Sequence, residues 1–141
     1  MSKVYKLHKG LSIPLQGEAE RIIHQISLPK TVAVKPTDFV GLVPKLFVKE
    51  GDRVLAGDTL FVDKNNQDVQ FTSPVSGVVR AILRGERRKL LHVEIEAQSE
   101  IEYKQFEVPN SQAEREAIVA LLLQSGVWPF IKQRPFNCIA K

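Results

Sequence analysis

Cysteine and methionine are nearly absent from these 141 residues, each occurring once, and both scarcities exclude chemistry. Cys138 has no partner in the sequence, so an internal disulfide cannot form. For the same reason a Cys-ligated iron–sulfur cluster or structural zinc site cannot be assembled from this chain alone. Both facts suit a reducing cytoplasm. Long apolar runs are missing too. The run 118–123 is far short of the roughly 20 residues that a bilayer-spanning helix needs. The opening residues lack the continuous apolar stretch of a signal peptide, which points to a cytosolic protein or one held at the inner face of a membrane by partners. The eight glycines never form Gly-x-Gly-x-x-Gly or a Walker pattern, so no nucleotide phosphate cradle is written here. A large imbalance of charge is missing as well: 20 Lys and Arg against 16 Asp and Glu leave +4, too mild for a nucleic-acid binder.

What is present is an ordinary globular composition, 43% hydrophobic and 26% charged. The length suits one domain, or a small β-domain with a helical appendage. Its most informative stretch is Val48-Lys-Glu-Gly-Asp52, followed by a second Gly-Asp pair at Gly57-Asp58 and then Phe71-Thr-Ser-Pro-Val-Ser-Gly77. Glycine at such turns reaches positive φ without a Cβ clash. Strands are expected at 11–13, 32–34, 45–49, 59–63, 68–71, 77–83 and 89–97. Lys35-Pro-Thr-Asp38 reads as a turn, with Pro36 fixing φ at one corner and Asp38 suited to cap the next, and Asn65-Asn66-Gln67 as a hairpin tip whose asparagines tolerate left-handed geometry. Alternation in the last strand puts Leu91, Val93 and Ile95 on one face and His92, Glu94 and Glu96 on the other.

The texture changes after Pro109. Ser111-Gln-Ala-Glu114 has the form of a capping box, and Ala113, Ala117, Ile118, Leu121 and Leu122 recur at helical spacing as an apolar stripe. Gly126 ends this helix, and Trp128-Pro129 starts something new. The expected organisation is a β-domain over 1–108, then a helix and a Trp/Arg/Pro tail over 109–141. That tail either packs back on the β-domain or leads into a further domain.

Candidate chemistry is sparse. His8, His24 and His92 share no metal-ligand spacing, and His92 reads as a surface residue. Asp52, Asp58, Asp63 and Asp68 recur at loop spacing, which turn formation explains better than acid–base catalysis in a desolvated pocket. No catalytic or metal-binding residue is assigned. Two clusters stand out. Between Arg80 and Lys89 there are five cations (Arg80, Arg84, Arg87, Arg88 and Lys89) and one anion, Glu86. Arg84, Arg87, Arg88 and Lys89 are candidates for docking a partner through its carboxylates, against the plainer reading of a solvated hairpin tip. The second cluster, Trp128, Phe130, Lys132, Arg134 and Phe136, mixes rings and cations as buried interfaces do. It is expected to meet a downstream domain or a quinone-type ligand, with Trp128, Phe130 and Arg134 as its main residues.

The order of Gly-Asp turns and the Ser-Pro-x-x-Gly turn resembles the biotinyl/lipoyl-like barrel-sandwich hybrid, a mainly β domain of two similar halves. In lipoyl domains a lysine at a hairpin tip carries the cofactor. Here that position falls on Asn66, Lys64 lies two residues early, and no Met-Lys-Met biotin motif occurs. A wider set appears in order: Lys9-Gly-Leu-Ser-Ile-Pro14, Val34-Lys-Pro-Thr-Asp-Phe39, the Gly-Asp turns, Arg84-Gly-Glu86, Ser125-Gly-Val-Trp-Pro129 and Arg134-Pro-Phe136. Together they resemble the start of the NqrA family, the A subunits of the sodium-translocating NADH:quinone reductases. Ser12 and Asn137 stand where that family often has Asp. Its members are about three times longer, so the resemblance implies the N-terminal piece of a larger protein. It implies a peripheral subunit on the cytoplasmic face of a bacterial inner membrane, in a six-subunit complex. That complex passes electrons from NADH through flavin (FMN) and iron–sulfur centres to ubiquinone or menaquinone and exports Na⁺, while this piece holds no cofactor. Alternatives are a C subunit of the Rnf electron-transport complex, a lipoyl or biotinyl carrier domain, and a stand-alone binding module.

Overall fold

The computed structural model describes residues 4, 6, 16–110 and 112–140. The strand expected at 11–13, the Lys-Gly-Leu-Ser-Ile-Pro motif, His8 and Ser111 lie outside them. The chain forms β1 (Thr31–Val34), β2 (Pro44–Leu46), β3 (Arg53–Val54), β4 (Thr59–Asp63), β5 (Gln70–Thr72), β6 (Gly77–Arg84), β7 (Leu90–Ala97), α1 (Arg115–Gln124), β8 (Lys132–Gln133) and β9 (Cys138–Ile139). One-turn 3-10 helices occupy Pro36–Asp38, Glu86–Arg88 and Trp128–Phe130. One antiparallel sheet has the order β1-β7-β6-β3, a second β2-β4-β5, and β8 pairs with β9.

Between the two larger sheets lies a single core. Val54, Leu60, Phe61, Val69, Phe71, Val75, Val79, Leu90, Val93 and Ile95 are buried there. Phe61 and Phe71 stack with ring centroids 4.9 Å apart, and Phe39 meets Phe71 edge-on at 4.7 Å. Each such side chain contributes roughly 1.5–3 kcal/mol by leaving water, which is what holds strands as short as β3 and β5 in place.

The two Gly-Asp turns are built alike. The Asp52 carboxylate accepts the Lys49 N–H at 2.8 Å, and the Asp58 carboxylate accepts that of Leu55 at 2.8 Å. Gly51 (φ +91°) and Gly57 (φ +103°) make the corners. The first turn is clamped to β6: Gly51 N–H donates to the Val79 carbonyl, and Val79 N–H to that of Asp52. The second is clamped in the same way, Gly57 N–H to the Ser73 carbonyl and Ser73 N–H to that of Asp58. Repetition of one clamp six residues apart gives the core its two-halved form.

Several expectations need correction. Leu91 is 37% exposed and Leu90 is buried, because the β6–β7 ladder slips between Leu83 and Arg84 and pairs Arg84 with Leu90. A bulge of this kind reverses the alternation on one side of it. Asn65 and Asn66 are not left-handed; Asn66 instead accepts the Asp68 N–H through its side chain at 3.3 Å. The turn expected at 35–38 is present as a one-turn 3-10 helix over Pro36–Asp38. The β2 strand is shorter than expected at 45–49. In α1 the N-cap is Glu114, which makes no side-chain capping bond, and Ala117 and Ile118 face solvent. Leu121 and Leu122 are half-buried, and Leu123 reaches the core. The tail packs back on the barrel: Trp128 and Ile139 touch the core, and Cys138 bridges to Val40.

Candidate functional site

Two hairpin tips and one tail carry the residues singled out by the sequence. At the β4–β5 tip, Lys64, Asn65, Asn66 and Gln67 are all exposed. Lys64 sits at the strand end with its N–H bonded to the Val43 carbonyl at 2.7 Å. The Asp63 carboxylate accepts the Asn65 N–H, and Lys45 reaches the Gln67 side chain at 3.0 Å. An asparagine amide nitrogen is no nucleophile, so Asn66 at the tip offers no attachment point for an acyl cofactor.

The β6–β7 tip is different in character. Gly85 N–H donates to the Lys89 carbonyl at 2.8 Å and Lys89 N–H to that of Glu86 at 3.1 Å, closing the turn. Arg87 (φ 53°) and Arg88 (φ 62°) are both left-handed, a conformation uncommon for residues with a Cβ. That geometry separates the cations. Arg84, Arg88 and Lys89 line a cleft of about 540 Å³, while Arg80 and Arg87 do not. The facing wall is the segment 36–44, including Phe39, Val40 and Val43. Arg84 donates to the Arg88 carbonyl at 3.3 Å, which holds its guanidinium over the turn.

The aromatic-cationic tail does not gather at one point. The Trp128 indole N–H donates to the Ala140 carbonyl at 2.9 Å, and its ring packs on the core. Phe130 is 72% exposed and meets Phe39 edge-on at 6.0 Å beside a small crevice of about 60 Å³. Lys132 lies over the Phe39 ring, 4.6 Å from its centroid. Arg134 and Phe136 are exposed and line neither space. Sequence reasoning missed the segment 36–44 as a cleft wall. The available signal was an apolar Phe39-Val-Gly-Leu-Val43 stretch bracketed by Pro36 and Pro44 and interrupted by Gly41, whose φ of +78° breaks any strand there.

The carboxylates behave as turn formers: Asp52, Asp58 and Asp63 each accept a nearby backbone N–H. His92 is half-buried opposite Leu83. Among the described residues, no group of three or more His, Cys, Asp or Glu could hold a metal ion.

A mainly β barrel-sandwich hybrid with one short C-terminal helix is the class these features define. Residues 5–98 match the model of the NqrA N-terminal barrel-sandwich hybrid domain. The A subunit of the Na(+)-translocating NADH-quinone reductase of Neisseria meningitidis serogroup A is 41% identical over 95% of this chain and 31% of its own length. The protein of the same name from Marinomonas is 37% identical over 95% of this chain and 31% of its own, and that of Klebsiella pneumoniae 39% over 94% and 30%. The chain thus spans about a third of the length of these curated relatives. It belongs to the NqrA family and corresponds to the N-terminal part of its members.

Proposed function

We propose that this chain is the N-terminal barrel of the NqrA component in a sodium-exporting NADH:quinone reductase, serving assembly and contact with quinone or partner subunits without catalysing electron transfer itself. The observation that carries this is the similarity along 95% of the chain to proteins named as that component. The reading divides the chain into a barrel over 1–108 and a helix and tail over 109–141. It places the protein peripherally at the cytoplasmic face of a bacterial inner membrane; no helix among the described residues is long and apolar enough to cross one. NADH, FMN and ubiquinone or menaquinone belong to the whole complex in this reading, with no cofactor in the barrel.

Support for a non-carrier role comes from Asn66 at the tip where a lipoyl domain holds its lysine. Of Trp128, Phe130 and Arg134, singled out in the sequence for a quinone or partner face, Trp128 packs on the core and Arg134 lines neither space, which leaves Phe130 as the residue offered outward. Phe130 contributes most, as an exposed ring supported edge-on by Phe39. The purified chain should be colourless and should not oxidise NADH, and intact mass after co-expression with lipoyl and biotinyl ligases should show no acyl group. A yellow or brown protein, or added mass at Lys64, would sink the proposal. The family match over residues 5–98 and the named relatives favour this reading over an Rnf-type C subunit or a lipoyl or biotinyl carrier.

A further inference from the structure

We infer that the cleft between the β6–β7 tip and the segment 36–44 binds a phosphate group carried on an apolar body. The inference is independent of the electron-transport reading. Three cations (Arg84, Arg88 and Lys89) line this space of about 540 Å³, and no Asp or Glu does. Among the described residues, none of the three is paired with a carboxylate. Like charges crowded about one turn, whose single carboxylate Glu86 pairs with none of the three among the described residues, repel each other, and an anion seated between them relieves that repulsion. Two guanidinium forks and an ammonium suit phosphate, with its several acceptor oxygens and up to two charges, better than a single carboxylate.

The opposite wall has the other half of the chemistry. Val40 and Val43 are 57% and 45% exposed, and Phe39 backs them. A bare phosphate would leave this apolar surface in water, whereas an attached hydrocarbon group would cover it. The volume lies within the roughly 300–1,000 Å³ of small-molecule sites. An acidic peptide added as a strand is disfavoured, because Pro44 starts β2 at the cleft and has no N–H to offer the ladder. The ligand chemistry is therefore a phosphate ester with a short apolar portion, supplied either by an anionic phospholipid or by a free organic phosphate.

The test is a titration of the ¹⁵N-labelled chain, followed by amide chemical shifts. Dihexanoyl phosphatidate, dihexanoyl phosphatidylcholine, inorganic phosphate and an Asp-rich peptide are added in separate experiments. Phosphatidate should produce saturable shifts at Gly41, Val43, Arg84, Gly85 and Lys89, at least tenfold tighter than inorganic phosphate, and phosphatidylcholine none. The double variant R84Q/R88N, with Asn chosen because it accepts left-handed φ, should weaken phosphatidate at least tenfold while the core amides of Leu60 and Val93 stay in place. Equal affinity for inorganic phosphate would assign the site to free phosphate and overturn the part given to the apolar wall. Saturation by the peptide alone, or phosphatidate shifts unchanged in the double variant, would overturn the site. Vesicles of phosphatidylglycerol then separate the sources: co-sedimentation lost in R84Q/R88N identifies lipid, and its absence beside tight phosphatidate binding identifies a free organic phosphate.

Discussion

The turns at Gly51-Asp52 and Gly57-Asp58 share sequence, corner geometry and clamp, yet their surroundings differ. Around Gly51 a Cβ would meet nothing within 4 Å, whereas at Gly57 it would meet Lys104 Cβ and the Phe106 ring at 3.2 Å. The difference comes from the segment 100–106, which straps the second turn. Ala56 N–H donates to the Glu102 carbonyl at 3.0 Å, and Lys104 N–H to that of Ala56 at 2.8 Å. The buried Ser76 hydroxyl ties the same strap, donating to the Glu100 carbonyl and accepting the Glu102 N–H at 2.8 Å. Two copies of a local motif thus become unequal through one non-repeated segment, which leads the chain out of the barrel toward α1.

Breaking the motif in each place measures that inequality. Gly57→Ala should cost about 3 kcal/mol, positive φ strain plus displacement of the strap, and Gly51→Ala about 1 kcal/mol from strain alone. Urea unfolding of both variants checks this, and equal losses would mean the strap adds nothing. Ser76→Ala should cost about 1.5 kcal/mol, since it takes away the one hydroxyl that serves both the Glu102 N–H and the Glu100 carbonyl. Hydrogen exchange should then quicken at Lys104 and Ala56 but not at Gly51 or Val79. The smallest effect is expected at the strap's rim. Arg53 and Glu102 pair at 2.9 Å with both side chains largely exposed, so Arg53→Ala should change stability by less than about 0.5 kcal/mol.

Much of the barrel was legible because its signals are local. The strand at 59–63 and the start of the one at 77 followed from short apolar runs beside glycine turns, and the turns themselves from Gly-Asp. The features that escaped depend on through-space events. The inversion of Leu90 and Leu91 arises from a ladder slip that alternation within one strand cannot reveal. The strap carries no periodic pattern, since its backbone bonds to a turn and not to a neighbouring strand. The helix stripe was displaced because the packing of Leu123 on the core, not helical spacing, sets which side turns inward. At the candidate site, the basic tip was visible as a run of cations. Its apolar counterpart lies more than forty residues earlier in sequence, so the cleft exists only once β2, β6 and β7 are assembled.

Trp128 is the sole indole in the chain, and its N–H is bonded to Ala140 at the returning tail. Its emission consequently watches the seam between appendage and barrel and little else, while circular dichroism is governed by the strands. A red-shift that precedes the loss of β signal on heating would show the appendage peeling away first; a single shared midpoint would make barrel and appendage one cooperative unit.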